Sequence, residues 1–238
     1  MTLLNERYNY VSINRESVEG KRLYATPDGS KVPSVTTILD KTKPREKVEA
    51  LMAWKKRVGE AKAQEIVTEA ASRGTRMHKF LEDYITTSII NEPGTNPYSV
   101  QSHKMAKCII ENGLKNVDEV WGVEVPLYYP GLYAGTTDCV GVHSADPAIM
   151  DHKQTNKPKK EEWIEDYYLQ MVAYALAHNE VHKTNIRKGV VFMCVKPPEI
   201  SPLVWGEPSY QEFILKPEDF SYWEAKWWDR VEQYYAQN

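Results

Sequence analysis

The sequence predicts an α/β fold, because strand and helix patterns alternate along the second half of the chain. Three strand-like runs follow one another at residues 119–129, 133–143 and 147–154. A helical pattern then covers residues 161–178, and an uninterrupted apolar run at residues 189–195 predicts a buried strand. This succession is typical of a sheet with helices packed against it. A further strand at 212–215 and a C-terminal helix from Pro217 complete the prediction.

The first half of the chain predicts a short hairpin followed mainly by helices. The hairpin would turn at Glu19 and Gly20, and Gly113 is a helix stop signal. We expect a hairpin at residues 7–25 and a short helix or turn at 34–43. Three helices would follow, at residues 44–71 (interrupted at Gly59), 75–89 and 99–112.

The chain shows neither an internal repeat nor a low-complexity linker, so we expect a single domain over residues 1–238. Its hairpin and helices would extend to about residue 115, and a sheet–helix core would follow from about residue 116. The chain has 238 residues, of which 42% are hydrophobic and 26% charged, which is ordinary for a globular protein with a substantial core. No apolar run is long enough to span a bilayer, so we expect no membrane contact.

Two adjacent strands carry the residues that point to chemistry. Asp151 and Lys153 are two apart on one strand, so their side chains point to the same face, and Asp138 lies one hairpin earlier. Two carboxylates and an ammonium group at one point suit metal-assisted hydrolysis of a phosphodiester. An exposed Asp-x-Lys is more often a solvated ion pair. Here the apolar neighbours Val140 and Ile149 favour a buried setting, where such charges need compensation.

Two helices add polar residues one turn apart. His78 precedes Glu82 by four positions in the run from Gly74, and Gln170 precedes Tyr174 by four in the helix at 161–178. The ordered series Gly-x-x-x-His, Asp, Asp-x-Lys, Gln-x-x-x-Tyr resembles the RecB-like branch of the PD-(D/E)XK nuclease superfamily. The runs Val32–Leu39 and Ala50–Arg57 extend this likeness to the mitochondrial genome maintenance exonuclease family and its phage and bacterial relatives.

The resemblance implies a fold, a reaction and roles for individual residues. It implies a restriction-endonuclease-like core with a central mixed sheet flanked by helices, and helices arching over the active site. It implies a metal-dependent exonuclease that prefers single-stranded DNA with a free end. The metal ligands that it implies are His78, Asp138, Asp151 and the carbonyl of His152. It implies that Lys153 is the catalytic lysine. It also implies that Gln170 and Tyr174 position the lysine or the DNA backbone.

The implied metal is Mg²⁺ or Mn²⁺, as one ion or two. An imidazole beside carboxylates tolerates Mn²⁺ well, so we expect Mn²⁺ to support activity at least as well as Mg²⁺. Whether Lys153 is a cation or a neutral base stays open. Glu82 and Glu124 are further carboxylates, but Glu124 sits in an alternating run that favours a solvated strand face, with Val123 and Val125 opposite it. Three cysteines cannot supply the four ligands of an iron–sulfur cluster, so we expect none.

The formal net charge is −3, yet positive charge is concentrated in residues 41–62 and 181–197. A basic helix is usually a solvated face. Together with the nuclease series it predicts a surface that binds phosphates without reading sequence. The candidate DNA-binding residues are Lys47, Lys55, Arg57, Lys157 and Lys159. Candidate base-stacking residues are Trp54, Tyr133 and Trp163, each of which is more often a core residue.

Two other interpretations stay open. One is a structure-specific or nicking endonuclease of the same fold, and the other is a noncatalytic DNA-binding accessory of recombination. The first residues show neither a secretory nor a transit pattern, so we expect a cytoplasmic protein of phage or bacterial type. Replication or recombination proteins are candidate partners besides DNA.

Overall fold

The computed structural model describes residues 3–18 and 21–237, in which ten strands and six α-helices are found. The strands are β1 (Asn14–Val18), β2 (Lys21–Ala25), β3 (Lys31–Pro33), β4 (Val117–Tyr129), β5 (Tyr133–His143), β6 (Asp146–Thr155), β7 (Gly189–Val195), β8 (Glu199–Ser201), β9 (Val204–Trp205) and β10 (Ser209–Leu215). The helices are α1 (Val35–Lys41), α2 (Arg45–Val58), α3 (Glu60–Thr87), α4 (Pro97–Asn112), α5 (Glu165–His182) and α6 (Phe220–Ala236). Short 3₁₀ helices cover Leu114–Asn116 and Glu161–Trp163.

The centre of the fold is a five-stranded mixed sheet with the order β10-β7-β6-β5-β4. Strands β4, β5 and β6 pair antiparallel in sequence, whereas β6 and β7 pair parallel because α5 carries the chain back across the sheet. Strand β10 pairs antiparallel with β7. The predicted α/β fold with a central mixed sheet flanked by helices is confirmed.

Helices cover both faces of this sheet and create two cores. Helices α1, α5 and α6 pack with one face, where Ile149 of β6 and Trp227 of α6 are fully buried. Helices α3 and α4 pack with the other face, where Met150 of β6 and Met77 of α3 are fully buried. The alternation of Ile149 and Met150 therefore directs Asp151 and Lys153 toward the α5 side and His152 toward the α3 side.

Local sequence signals explain where several helices begin. The hydroxyl of Ser34 accepts the N–H of Thr37 at 2.9 Å and caps α1. The side chain of Asn96 caps α4 in the same way, and Pro97 follows in the first turn, where its missing N–H costs nothing. Gly59, at a φ of 84°, separates α2 from α3, which confirms the predicted interruption.

Three predictions of local structure differ from the structure. Helix α3 continues through Gly74 without the predicted break, because its inner face is buried on both sides of that position, at Arg73 and at Met77, Leu81 and Ile85. The first hairpin strand begins at Asn14 rather than near Tyr8, since the rings of Tyr8 and Tyr10 pack against His178 instead. The predicted hairpin turn at residues 19–20 lies outside the described residues.

The third difference concerns β4. Regular alternation would place Val123 and Val125 on one face, opposite Glu124. Instead Glu124 has a φ of 50°, so Val123 packs into the core beneath α3 and α4 whereas Val125 packs into the core beneath α5. The predicted regular alternation at Glu124 was therefore wrong, whereas Glu124 itself is exposed, as expected of a solvated position. Among the helices of the described residues, none has the length and apolar character to cross a bilayer.

Candidate active site

Strands β5 and β6 separate next to Asp138, and this carboxylate occupies the gap. The β5–β6 ladder ends with the pair Cys139 and Met150. One residue further on, Oδ2 of Asp138 accepts the backbone N–H of His152 at 2.7 Å. A side-chain oxygen thus takes the place of the β5 carbonyl that would accept the N–H of His152 if the two strands stayed paired.

Three elements bring metal-ligating side chains together at this gap. His78 comes from α3, Glu124 from β4 and Asp138 from β5, and one ligand atom of each lies within 4.8 Å of the other two. Nδ1 of His78 lies 3.6 Å from Oδ1 of Asp138. An imidazole and two carboxylates are a donor set that suits Mn²⁺ and Mg²⁺. The group faces a cleft of about 400 Å³ that is lined by Gly74, Thr75, His78, Lys79, Glu82 and Glu124.

A backbone contact fixes how His78 presents its ring. Nε2 of His78 lies 2.8 Å from the carbonyl oxygen of His152. A carbonyl can only accept, so Nε2 carries a proton, and in the neutral form of the ring Nδ1 has its lone pair toward Asp138. Such a contact to the far nitrogen is the usual way in which a metal-binding histidine is oriented. The carbonyl of His152 thus contacts His78, and its role as a direct metal ligand stays a prediction.

Asp151 and Lys153 form a close pair beside the cluster. Oδ2 of Asp151 lies 2.5 Å from Nζ of Lys153, and the Asp151 residue is only 3% exposed. Burial raises the pKa of Asp151 above its ordinary value, although Lys153 opposes this. Burial disfavours the charged form of Lys153, but Asp151 and Asp138 outweigh it, so the pKa of Lys153 is raised and its ammonium stays protonated.

Tyr167 on α5 is a neighbour of this lysine that sequence reasoning missed. The ammonium of Lys153 lies 5.3 Å from the centre of the Tyr167 ring, within the range of a cation–π contact. In the sequence this tyrosine looked like one more member of the apolar surface of α5. Its spacing of three from Gln170 was the available signal, because positions three and four apart share a helix face.

Glu124 is a second residue whose place the sequence did not reveal. Burial and the neighbouring Asp138 raise its pKa, whereas His78 opposes the shift. A carboxylate that is disfavoured by other carboxylates becomes favourable when a divalent cation joins them. The positive φ of Glu124 turns it toward the gap, and that conformation has no sequence signature in a non-glycine residue.

Gln170 and Tyr174 lie together on the α5 side of the sheet. The amide of Gln170 donates to the hydroxyl of Tyr174 at 3.3 Å. Burial raises the pKa of Tyr174, so its hydroxyl stays neutral. A Cβ at Gly135 would come within 2.9 Å of this hydroxyl, and the glycine therefore allows Tyr174 to approach β5. These contacts lie between the two side chains themselves, so their predicted action on the lysine or on DNA stays a prediction.

A buried arginine joins the helix of His78 to the strand of Lys153. Arg73 on α3 is fully buried, and its Nε donates to Oε1 of Gln154 at 2.9 Å. Its other nitrogens donate to Glu69, at 2.8 Å, and to Asn156. Gln154 in turn donates to the carbonyl of Ala70 at 2.9 Å. Arg73 therefore locks α3 to the end of β6, and this fixes the distance between His78 and His152.

The predicted DNA-binding residues fall into two groups. Lys55 and Arg57 are exposed on the last turn of α2, and Lys157 is exposed just after β6. Lys47 is engaged instead: its ammonium lies 3.3 Å from Glu165 and 3.6 Å from Asp166 at the start of α5. This pairing could not be foreseen, because it joins residues far apart in sequence. Lys159 is half-buried.

Comparison with known proteins matches this chain to a set of exonucleases. Mitochondrial genome maintenance exonuclease 1 of Mus musculus is 29% identical over 215 residues, which is 85% of this chain and 59% of that protein. The chain resembles this exonuclease. The proteins of the same name from Homo sapiens and Xenopus tropicalis are 27% and 26% identical, again over 85% of this chain. The resemblance that the sequence motifs predict is therefore confirmed.

The extent of these matches is partial. The chain spans less than two thirds of the length of these relatives, namely 59%, 58% and 57%. A crystal structure from Eubacterium rectale, described as a candidate exonuclease, aligns over 71% of this chain and 65% of its own, with a TM-score of 0.48 and 10% identity. That likeness is too distant to bear on function. No protein-family model matches the chain.

Proposed function

We propose that this protein is a metal-dependent DNA exonuclease that prefers single-stranded DNA with a free end. The observation that carries the proposal is the meeting of His78, Glu124 and Asp138 at the gap between β5 and β6, beside the Asp151–Lys153 pair. The similarity to proteins named exonucleases supports the same reaction class.

The residues at the gap fit a divalent cation. His78, Glu124 and Asp138 would hold it, and Asp151 would join them on the side of Lys153. The fit rests on the closeness of the three ligand atoms, on the free lone pair of Nδ1, and on the raised pKa of Glu124. When bound, Mg²⁺ or Mn²⁺ supplies Lewis-acid stabilisation of phosphate charge and activates water for attack.

The chain's own groups have distinct tasks in this reaction. Hydrolysis of a phosphodiester builds negative charge on the non-bridging oxygens, and the ammonium of Lys153 is placed to stabilise that charge. Asp151 holds the ammonium at 2.5 Å, and the Tyr167 ring contacts it with the ring centre at 5.3 Å. Asp151 and Asp138 raise the pKa of Lys153, and we propose that Lys153 takes part as a cation.

A single strand would reach the site over the exposed cations. Lys55 and Arg57 on α2 and Lys157 after β6 carry charges that solvent can reach, and such groups bind phosphates regardless of sequence. Lys47 holds α2 near α5 through Glu165, so we propose a positioning role for Lys47 in place of direct DNA binding.

The test compares wild-type protein with Asp151→Asn on three end-labelled substrates: linear single-stranded, circular single-stranded and duplex DNA. Each reaction is run with Mg²⁺, with Mn²⁺ and with EDTA. We expect metal-dependent loss of the linear single strand by the wild type alone. Cleavage of circular strands would show that the protein is an endonuclease and not an exonuclease. An inactive wild type that still binds DNA would leave a noncatalytic DNA-binding protein.

A further inference from the structure

Among the tryptophans of the described residues, Trp163 is the most exposed to solvent. It is 54% exposed, whereas Trp227, Trp121 and Trp205 are 0%, 5% and 7% exposed. An exposed indole offers an apolar ring that a ligand from solution can contact. The ammonium of Lys160 lies 5.3 Å from the ring centre and leaves more than half of the side chain open to solvent.

The segment that carries Trp163 is held in place by its backbone. The N–H of Lys159 donates to Oε1 of Gln211 at 2.8 Å, and the amide of Gln211 donates back to the carbonyl of Lys159 at 2.9 Å. The N–H of Trp163 donates to the carbonyl of Lys160 at 3.0 Å. Ile164, the next residue, is only 1% exposed and anchors the segment in the core. The indole is therefore presented from a fixed backbone, which limits the entropy lost on binding.

This segment borders the reaction centre at both of its ends. It follows β6 directly, and Asn156 stands three residues beyond Lys153, or about 10 Å along an extended chain. It leads into α5, where Tyr167 is four residues after Trp163 and contacts Lys153. A nucleotide bound at Trp163 would thus lie about one to a few nucleotides from a phosphate held beside Lys153.

The charges around Trp163 suit a nucleotide. Lys157 and Lys160, which are exposed, and the half-buried Lys159 precede it and offer cations for phosphates, with the Lys160 ammonium over the ring of Trp163. Of the acids nearby, Glu161 accepts the hydroxyl of Tyr168 at 3.0 Å, and Glu162 lies 3.8 Å from Lys160 and partly offsets the charge of that lysine. An open aromatic face next to cations is the combination that binds single-stranded nucleic acid, because every base offers a π-face for stacking.

We propose that Trp163 is a base-stacking platform that holds one nucleobase of the DNA strand at a fixed distance from the scissile phosphate. This rests on the proposed exonuclease function and names a contact that selects unpaired bases. A base within a duplex is already stacked on its neighbours and cannot offer the same face, so the platform favours single strands. The platform adds a subsite to the phosphate contacts made by the lysines.

The test combines protein variants with a substrate that lacks one base. Wild type, Trp163→Ala, Trp163→Phe and the matched control Tyr98→Ala are compared; Tyr98 is another exposed aromatic residue, 42% exposed, at the start of α4. Single-stranded oligonucleotides carry one abasic residue that is moved along the strand. Rates of cleavage give kcat/KM, and fluorescence anisotropy of the Asp151→Asn background gives binding of the same strands.

We expect Trp163→Ala to lower kcat/KM on intact single strands about tenfold, and Trp163→Phe to recover most of it. In wild type, one abasic position at a constant distance from the cut should cause a similar loss. In Trp163→Ala, that position should cause no further loss, because the partner of the base is already gone. Tyr98→Ala should match wild type.

Two results would overturn the platform. One is an equal kcat/KM for Trp163→Ala and wild type on intact strands. The other is that, at every abasic position, the loss in kcat/KM from the missing base adds to the loss from Trp163→Ala. These are distinct from failure of the proposed function, in which wild type itself hydrolyses no strand. In that case anisotropy decides separately: unchanged binding of single strands by the Trp163→Ala variant would also reject the platform.

Discussion

The side chain of Asp138 and the backbone of His152 share a hydrogen bond of 2.7 Å across the point where β5 and β6 separate. This bond uses Oδ2, whereas Oδ1 faces Nδ1 of His78 at 3.6 Å. One carboxylate therefore has two tasks: one oxygen closes the broken ladder, and the other is offered to a cation. The two tasks can be separated by substitution.

Replacing Asp138 by Asn should preserve the fold and remove the activity. The amide oxygen of Asn can still accept the N–H of His152, but the charge that holds a cation is lost. We expect hydrolysis to fall at least about 100-fold, since metal stabilisation contributes several kcal/mol. Asp138→Ala should in addition lower the free energy of unfolding by about 1–2 kcal/mol, because a buried N–H loses its acceptor. Urea unfolding and rates of hydrolysis measure the two effects; equal stability of both variants would contradict the structural task.

Glu124→Gln should weaken the response to metal. The amide keeps the size of the side chain but removes one of the three ligand charges near His78 and Asp138. We expect the Mn²⁺ concentration for half-maximal activity to rise about 10- to 100-fold. Glu111→Gln, an exposed position on α4, is the control. An unchanged Mn²⁺ concentration for half-maximal activity would show that Glu124 does not bind the metal and is a solvated strand residue, as the sequence suggested.

Arg73→Met should destabilise the junction of α3 and β6. Removing the guanidinium leaves the half-buried Gln154 without its donor and a gap where the fully buried arginine side chain packed, although Glu69 keeps its contact with Lys196 at 3.2 Å. We expect a loss of about 3 kcal/mol in the free energy of unfolding. Arg73→Lys should recover only part of it, since one ammonium cannot reach three acceptors in a fork. A loss below about 0.5 kcal/mol in urea unfolding would show that the arginine does not brace this junction.

Stability should fall as the pH drops below about 6.5. Burial lowers the pKa of His178 to about 3, so the folded protein keeps this ring neutral, between Tyr10 and Thr184. The unfolded chain takes up the proton near its ordinary pKa of about 6.5, so acid favours unfolding between pH 6.5 and 3. His178 alone contributes up to about 1.4 kcal/mol per pH unit in this window.

The measurement for this prediction is the free energy of unfolding between pH 4.5 and 8, for wild type and His178→Gln. The variant is less stable at pH 8, where the lost hydrogen bonds matter, so the slope with pH is the quantity to compare. A shallower slope in the variant supports the neutral buried ring. Parallel curves would mean that His178 does not contribute to the acid sensitivity.

The residues that sequence reasoning found are those whose placement depends on local pattern. Asp151 and Lys153 share a face because strands alternate, and Asp138 lies one hairpin away. Glu124 was named only as a further carboxylate on a solvated strand face, because its positive φ breaks the alternation on which that reasoning depends. Tyr167 was taken for a core residue, since nothing in the chain near it reveals that Lys153 lies opposite.

Contacts between segments that are distant in sequence determine the features that could not be predicted. Lys47 looked like a free cation on a basic helix, but its acidic partner Glu165 lies on α5, and only the folded chain brings them together. Helix α3 was divided at Gly74 because glycine disfavours helix, whereas burial of its inner face carries the helix through that position. Local propensity gives way to tertiary packing in both cases.

On this account, His78, Glu124 and Asp138 hold the cation that hydrolysis requires. The most direct measurement is Mn²⁺ titration followed by electron paramagnetic resonance, for wild type and for the double variant Glu124→Gln/Asp138→Asn, with hydrolysis of a linear single strand recorded on the same samples. We predict that wild type binds Mn²⁺ and hydrolyses the strand in proportion to the bound ion, and that the double variant does neither. Hydrolysis by wild type in EDTA, or unchanged Mn²⁺ binding by the double variant, would contradict the claim.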